Sequence, residues 1–169
     1  MKPLNEMHVA IITYFSAEKR ESLLFLLVGV AAIAASVVLW RTGSPYRGMG
    51  YPLAAIALIQ LVVGSTVYFR TDHQVRDLHQ RLAADPPAYA AAELSRMTTV
   101  RSSFTIYKVI EIALLAAGIV GTFLFRDRQT LYAASIGLIV QSSLMLGLDL
   151  FAERRADVYM ERIRTLIGG

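Results

Sequence analysis

The chain has 169 residues, of which 55% are hydrophobic and 18% charged, with a formal net charge of +4 and no cysteine. The absence of cysteine excludes disulfides, a thiol nucleophile and thiolate metal ligands. The charged residues are concentrated between four long apolar runs, a segregation that is typical of proteins embedded in lipid and not of soluble domains.

The four apolar runs contain 19 to 21 residues each. A helix of that length crosses a hydrocarbon core of about 30 Å. Irregular backbone in lipid would leave unpaired polar groups at several kcal/mol each, so the spans must be helical. The sequence therefore predicts an all-α, polytopic membrane protein with four transmembrane helices in an antiparallel bundle. The predicted spans are residues 22–40, 51–69, 105–125 and 131–151.

Each span is predicted to continue on its cytoplasmic side as an amphipathic helical extension. The extensions are residues 4–21, 70–84, 86–104 and 152–167. Their apolar residues recur at helical spacing, as with Val75, Leu78 and Leu82. Asp85 is a predicted N-cap, followed by Pro86 at the first helical position. The apolar stripes predict a shared bundle core, and helices lying on the membrane surface are the alternative.

Topology follows from the cations. Thirteen of the 17 Lys and Arg residues lie in the N-terminal segment, the middle connection and the C-terminal segment. Both termini and the middle connection are therefore predicted to be cytoplasmic in a bacterial inner (plasma) membrane. The interfacial aromatic residues agree, with Trp40, Tyr51 and Tyr132 at the outer interface and Tyr68 and Tyr107 at the inner one.

Two acidic residues, Glu111 and Asp149, lie inside apolar runs. Because charge is costly in lipid, such residues are candidates for function. They share a leaflet, so facing carboxylates would hold a proton or cation between them. The favoured interpretation is instead an interhelical clamp of ion pairs and hydrogen bonds with Lys108, Arg70 and Glu153. A catalytic role is the third interpretation.

Polar residues are also expected near the middle of the membrane. These are Gln60, Gln141, Ser142 and Ser143. Hydrogen bonding between the two glutamines, within or between chains, is expected to contribute about 1 kcal/mol. No polar stripe is expected to run the length of any span. A conduction path through one chain is therefore disfavoured, whereas an oligomer remains able to enclose one.

Small residues four positions apart are expected to mark close helix contacts. Three such pairs occur in the spans: Ala31 with Ala35, Ala117 with Gly121, and Ser143 with Gly147. Packing inside the bundle is the first explanation of these pairs, and self-association through one of the faces is the second.

A metal site is a further hypothesis. His73 and Asp77 share one helix face, and carboxylate–histidine sites in bundles use such pairs. Glu111, Asp149 and Glu153 would be the additional ligands. However, no E-x-x-H or H-E-x-x-H motif is present, and ordinary salt bridges explain the same residues. No cofactor is predicted.

The leading functional interpretation is a small integral membrane protein that acts through helix contacts with a membrane partner or with itself. In topology only, it resembles membrane-bound immunity proteins and small accessory subunits, which says little about function. The second interpretation is an oligomeric proton or cation channel or transporter using Glu111 and Asp149. A metal-dependent intramembrane enzyme is the third, and no catalytic residue is assigned. Lipid is the expected environment, and nucleic acid is not an expected partner because headgroups explain the basic charge.

Overall fold

The computed structural model describes the backbone of residues 2–168 and the side chains of residues 4–166. Within that part of the chain there is no strand, which confirms the all-α prediction. The helices are α1 (Lys2–Arg41), α2 (Gly50–Ala84), α3 (Pro86–Leu124) and α4 (Gln129–Gly168), with a short 3₁₀ helix at Arg47–Met49. The side chain of Lys2, counted above among the cations, and position 167, which ends the last predicted extension, lie outside the described side chains.

All four helices are long and apolar enough to cross a membrane. Each predicted span and its extension form one uninterrupted helix. The helices range from 35 residues in α2 to 40 in α1. At 1.5 Å per residue such helices are about 50 to 60 Å long, well beyond a hydrocarbon core of about 30 Å. We call residues 22–69 and 105–151 the apolar half and residues 4–21, 70–104 and 152–166 the polar half.

The connection between α2 and α3 is a single capping residue. Asp85 has an extended backbone (φ −151°, ψ 91°), and its carboxylate accepts a hydrogen bond from the backbone N–H of Ala88 at 3.0 Å. Pro86 opens α3, where its missing N–H has no intrahelical acceptor to lose. The predicted cap is confirmed, and α3 starts immediately after α2 ends.

The polar half has a hydrophobic core built by all four helices. It buries Met7, Ile11, Tyr14, Phe15, Leu78, Leu82, Tyr89, Ala90, Met97, Ala156, Tyr159, Met160 and Ile163. The predicted apolar stripes belong to this core or pack against it. The shared core therefore favours a bundle over helices that lie on a membrane surface.

Buried positions repeat every seven residues through both halves. On α1 they are Phe15, Ser22, Gly29 and Ser36, and on α2 they are Gly50, Ala57, Gly64, Thr71 and Leu78. A seven-residue repeat keeps one face of a helix toward its neighbours over its whole length. The same face thus carries large apolar residues in the polar half and small or polar residues in the apolar half.

α1 packs mainly against α2, and α3 packs mainly against α4, which also contacts α1, α2 and the 3₁₀ helix. In the apolar half these contacts depend on glycine. A methyl group on Gly118 would lie 2.8 Å from Cγ1 of Ile139. A methyl group on Gly29 would lie 3.2 Å from the side chain of Leu61. The absence of a side chain at these glycines lets neighbouring helices approach closely.

Candidate functional site

Several polar side chains of the apolar half lie between α2, α3 and α4. We call this group the polar seam, and it consists of Gln60, Glu111, Ser135, Gln141, Ser142 and Asp149. Along α4, Ser135, Ser142 and Asp149 are seven residues apart and follow the repeat that builds the core of the polar half. The expectation that no polar stripe runs along a span is therefore wrong for the fourth span. Except for Gln141, the residues between consecutive members are apolar or small, which hides the stripe in the sequence.

The acid pair Glu111 and Asp149 is formed. Glu111 is only 3% exposed, and neither of its carboxylate oxygens receives a hydrogen bond from a donor in the described residues. The carboxyl group of Asp149 lies within hydrogen-bonding reach of it. An ionised carboxylate only accepts hydrogen bonds, so the two groups can bond only when one carries a proton. The arrangement is one that can hold a single shared proton.

The cations of the predicted clamp form ion pairs with acids other than Glu111 and Asp149. Lys108 donates to Glu153 at 2.5 Å, which joins α3 to α4. Arg70 lies 3.8 Å from Glu18, which joins α2 to α1. Neither cation neutralises the acid pair, so the expected clamp of Glu111 with Lys108 and Arg70 is corrected.

Further ion pairs lie at the same level, where the apolar half begins. They are Arg155 with Glu21 and Lys19 with Asp72, the latter at 2.6 Å. Each pair joins two different helices. Half-exposed pairs contribute little to stability, about 0 to 1 kcal/mol, so their main effect is to orient the helices.

The two glutamines meet within the chain. Nε2 of Gln141 donates to Oε1 of Gln60 at 2.6 Å, and both side chains are fully buried. Nε2 of Gln60 and the hydroxyl of Ser142 have no partner in the described residues, whereas the neighbouring Ser143 is exposed. Buried polar atoms are normally paired by protein, ordered water or a ligand. The seam therefore presents hydrogen-bonding capacity that the protein itself does not use.

The small-residue pairs lie mostly outside the bundle. Gly121 packs against Ser135, as expected for an internal contact. In contrast, four residues are exposed: Ala31, Ala35, Ala117 and Ser143. Gly147 has open space where a side chain would project. The expectation of internal packing is thus corrected for five of the six residues, which leaves uncovered small-residue faces on α1, α3 and α4.

The predicted metal pair is not brought together as a site. His73 is exposed, Asp77 pairs with Arg81 at 3.0 Å, and the described residues contain no cluster of three or more candidate ligands. The histidines that meet are His8 and His79, whose Nδ1 atoms lie 2.5 Å apart with stacked rings. Because one nitrogen must donate and the other accept, this contact requires exactly one proton between them.

A buried network in the core of the polar half has no counterpart among the predictions. Arg96 donates two hydrogen bonds to Glu93, at 2.8 and 2.7 Å, and the hydroxyl of Tyr159 donates to Glu93 at 3.1 Å. The hydroxyls of Tyr89 and Tyr159 are 3.0 Å apart. Burial raises the pKa of Tyr89 to about 12, and burial followed by the charge of Glu93 raises the pKa of Tyr159. Both phenols stay neutral and serve as hydrogen-bonding groups.

An open groove of about 640 Å³ lies between α1 and α4 in the polar half. Tyr14 and Tyr159 stack at its floor with ring centroids 4.5 Å apart. Val9 and Val158 line it and remain 62% and 60% exposed. The groove is therefore a surface that the fold leaves uncovered, lined by these apolar residues together with the charged Glu6, Arg155 and Arg162.

These features suit two kinds of interaction. The uncovered faces suit association with another helix, and the acid pair suits proton binding. This chain matches no known protein family, no curated protein and no solved structure.

Proposed function

We propose that this chain is an antiparallel four-helix bundle of a bacterial inner membrane, with the polar half and both termini in the cytoplasm. Residue pairs that join α1 to α2 support the antiparallel arrangement. Lys19 pairs with Asp72, and Trp40 lies beside Tyr51. Residues further along α1 therefore contact residues earlier in α2, as expected for antiparallel helices. Contacts between α3 and α4 run in the same sense. The excess of Lys and Arg in the polar half supports the orientation.

We propose further that the protein acts through helix contacts, with a membrane partner or a second copy. The observation that carries this proposal is the exposure of Ala31 and Ala35 on α1. Ser143 and Gly147 on α4 are likewise uncovered. Lipid tails are as apolar as leucine, so helices in a membrane associate through close packing at small residues. Small faces that the fold does not use for itself are suited to such contacts.

The groove adds support on α1. Ala10 and Ala17 line it, and Ala31 occupies the same position of the seven-residue repeat two heptads after Ala17. A helix packed on this face of α1 in the membrane is directed toward the groove in the cytoplasm. The surface suits one long helix that crosses the membrane and continues beyond it.

Disulfide cross-linking tests this proposal cleanly because the chain has no cysteine of its own. In native membranes, Ala31→Cys and Ser143→Cys are expected to form covalent dimers or adducts with a partner. Val62→Cys, at an exposed position of α2, is the control and is expected to remain monomeric. A strictly monomeric particle by mass, with equal cross-linking at the three positions, would contradict helix-contact function.

The second candidate function is a proton or cation pathway through Glu111 and Asp149. It is favoured by one observation: Glu111 is buried and Asp149 half-buried, while nearby Lys108 and Arg155 are engaged with other acids. Flux into vesicles that survives Glu111→Gln together with Asp149→Asn would remove this function. A metal-dependent enzyme gains no support from the described residues and is not proposed.

A further inference from the structure

We propose that the polar seam is a proton pathway enclosed within a single chain, with Glu111 and Asp149 as its proton-binding site. This inference rests on the second candidate function and changes it in one respect. The path lies between α2, α3 and α4 of one copy, and no second copy is needed to enclose it. Three observations carry the inference: the nature of the acid pair, the unpaired polar atoms above it, and the acids below it.

The acid pair suits a proton better than a metal cation. Hard cations take six or more oxygen ligands, whereas Glu111 and Asp149 offer four carboxylate oxygens at most. No described residue donates a hydrogen bond to Glu111. A single shared proton supplies that missing bond and removes one of two negative charges from a low-dielectric site.

Unpaired polar atoms extend the seam toward the outer face. The hydroxyl of Ser142 on α4 and Nε2 of Gln60 on α2 are both buried without a partner. Ser142 is seven residues above Asp149 on α4, which is about 10 Å along the helix. At hydrogen-bond spacings of about 2.8 Å, two or three waters bridge such a step. The unpaired atoms supply anchors for those waters.

The cytoplasmic end of the seam leads to acids that face the boundary. Glu153 follows Asp149 by one turn on α4. On α1, Glu18 has a buried carboxylate oxygen without a partner, and burial raises its pKa while the charge of Arg70 opposes that rise. Of these two acids, Glu153 is the one beside Asp149, and it is placed to receive a proton from the pair and pass it to cytoplasmic water.

Proton flux into liposomes tests the proposal, with an internal pH dye and a potassium diffusion potential as the driving force. The wild type is expected to conduct protons. Glu111→Gln and Asp149→Asn are expected to reduce the flux about 100-fold, the size typical of a lost proton-transfer group. Ser142→Ala is expected to reduce it several-fold, whereas Thr66→Ala, which removes an exposed hydroxyl of α2, leaves it unchanged.

Two controls make each outcome decisive. Flux per vesicle is expected to rise in direct proportion to protein content, and a steeper rise would overturn the single-chain path. Equal flux in Ser142→Ala and Thr66→Ala would also overturn it. If an acid variant fails to fold, infrared spectroscopy of the wild type decides instead, since a protonated-carboxyl band at neutral pH is required. Absence of wild-type flux removes the pathway and leaves the cross-linking test of helix contacts untouched.

Discussion

The two halves of the molecule use the same seven-residue repeat with opposite chemistry. In the polar half the repeat buries large apolar side chains and leaves most charges outside, with Glu93 as the buried exception. In the apolar half it buries serine, glutamine and glutamate and leaves leucine, valine and phenylalanine outside. Two phenylalanines illustrate the contrast, since Phe15 is 0% exposed and Phe69 is 79% exposed.

The solvent of each half explains the difference. In water, burial of apolar surface drives helices together. In lipid that driving force is absent, so close packing at small residues and hydrogen bonds set the contacts. We infer that the polar half contributes most of the free energy that holds the four helices together. The apolar half mainly determines which polar groups meet.

The largest expected effect is a difference in stability between phenylalanine substitutions in the two halves. Phe15→Ala is expected to lower the free energy of unfolding by about 3 to 5 kcal/mol, because it empties part of a packed core. Phe69→Ala is expected to change it by less than about 0.5 kcal/mol, as for surface substitutions elsewhere. Denaturant titration of both variants in the same lipid particles measures this difference. Equal losses would mean that the halves do not differ in this way.

Two Glu–Arg pairs of identical spacing sharpen the comparison within the polar half. Glu93→Ala is expected to cost about 2 kcal/mol, because Arg96 and Tyr159 lose a buried acceptor. Glu161→Ala breaks an exposed pair with Arg164 and is expected to cost less than about 0.5 kcal/mol. Thermal unfolding of the two variants tests this order. A similar cost for both would show that burial of Glu93 adds nothing.

Glycine substitutions test the contacts of the apolar half. Gly118→Ala would bring a methyl group within 3.0 Å of the Ser135 carbonyl oxygen, so we expect a loss of about 1 to 3 kcal/mol. Gly147→Ala meets open space and is expected to gain up to about 1 kcal/mol from helix propensity. Unfolding measurements that place both variants on the same side of the wild type would contradict this packing.

The smallest expected effect is a pH response at the tip of the polar half. Burial, and then the charge of His8, lowers the pKa of His79, so the folded state favours the neutral ring. The stabilising contribution is complete above about pH 6.5 and falls as the pH drops below it. Hydrogen exchange of residues 4–12 is expected to increase from about pH 7.5 to about pH 5.5 after correction for intrinsic rates. His79→Gln should abolish this increase, whereas His73→Gln should retain it.

Much of the fold could be predicted from the sequence. Run length and helical periodicity mark the four helices and their extensions, and the Asp85–Pro86 step marks the end of α2. Helix rotation in the apolar half could not be predicted, because small residues occur on several faces there. Ala117 and Gly118 are neighbours in sequence, yet only Gly118 packs inside. Consecutive residues of a helix are rotated by about 100° about its axis, so an error of one residue assigns a contact to the wrong face.

The candidate site was predictable only in part. Ionisable residues inside apolar runs are rare, so Glu111 and Asp149 are recognisable from sequence alone. Their partners are not, because Lys108 has several acids within reach and only tertiary packing selects Glu153. The Glu93 network was missed because its Glu–Arg spacing is identical to that of the exposed Glu161 pair.

The unbroken helices have a mechanical consequence. α1 contains no proline after its first turn and passes from one solvent to the other as a single rod. Because α1 has no kink to absorb motion, tilting the end of α1 in the polar half moves its other end in the opposite direction. The interhelical ion pairs at the boundary between the two halves lie where such a tilt would pivot. A tilt imposed at one end of α1 is therefore expected to move the other end without any change in secondary structure.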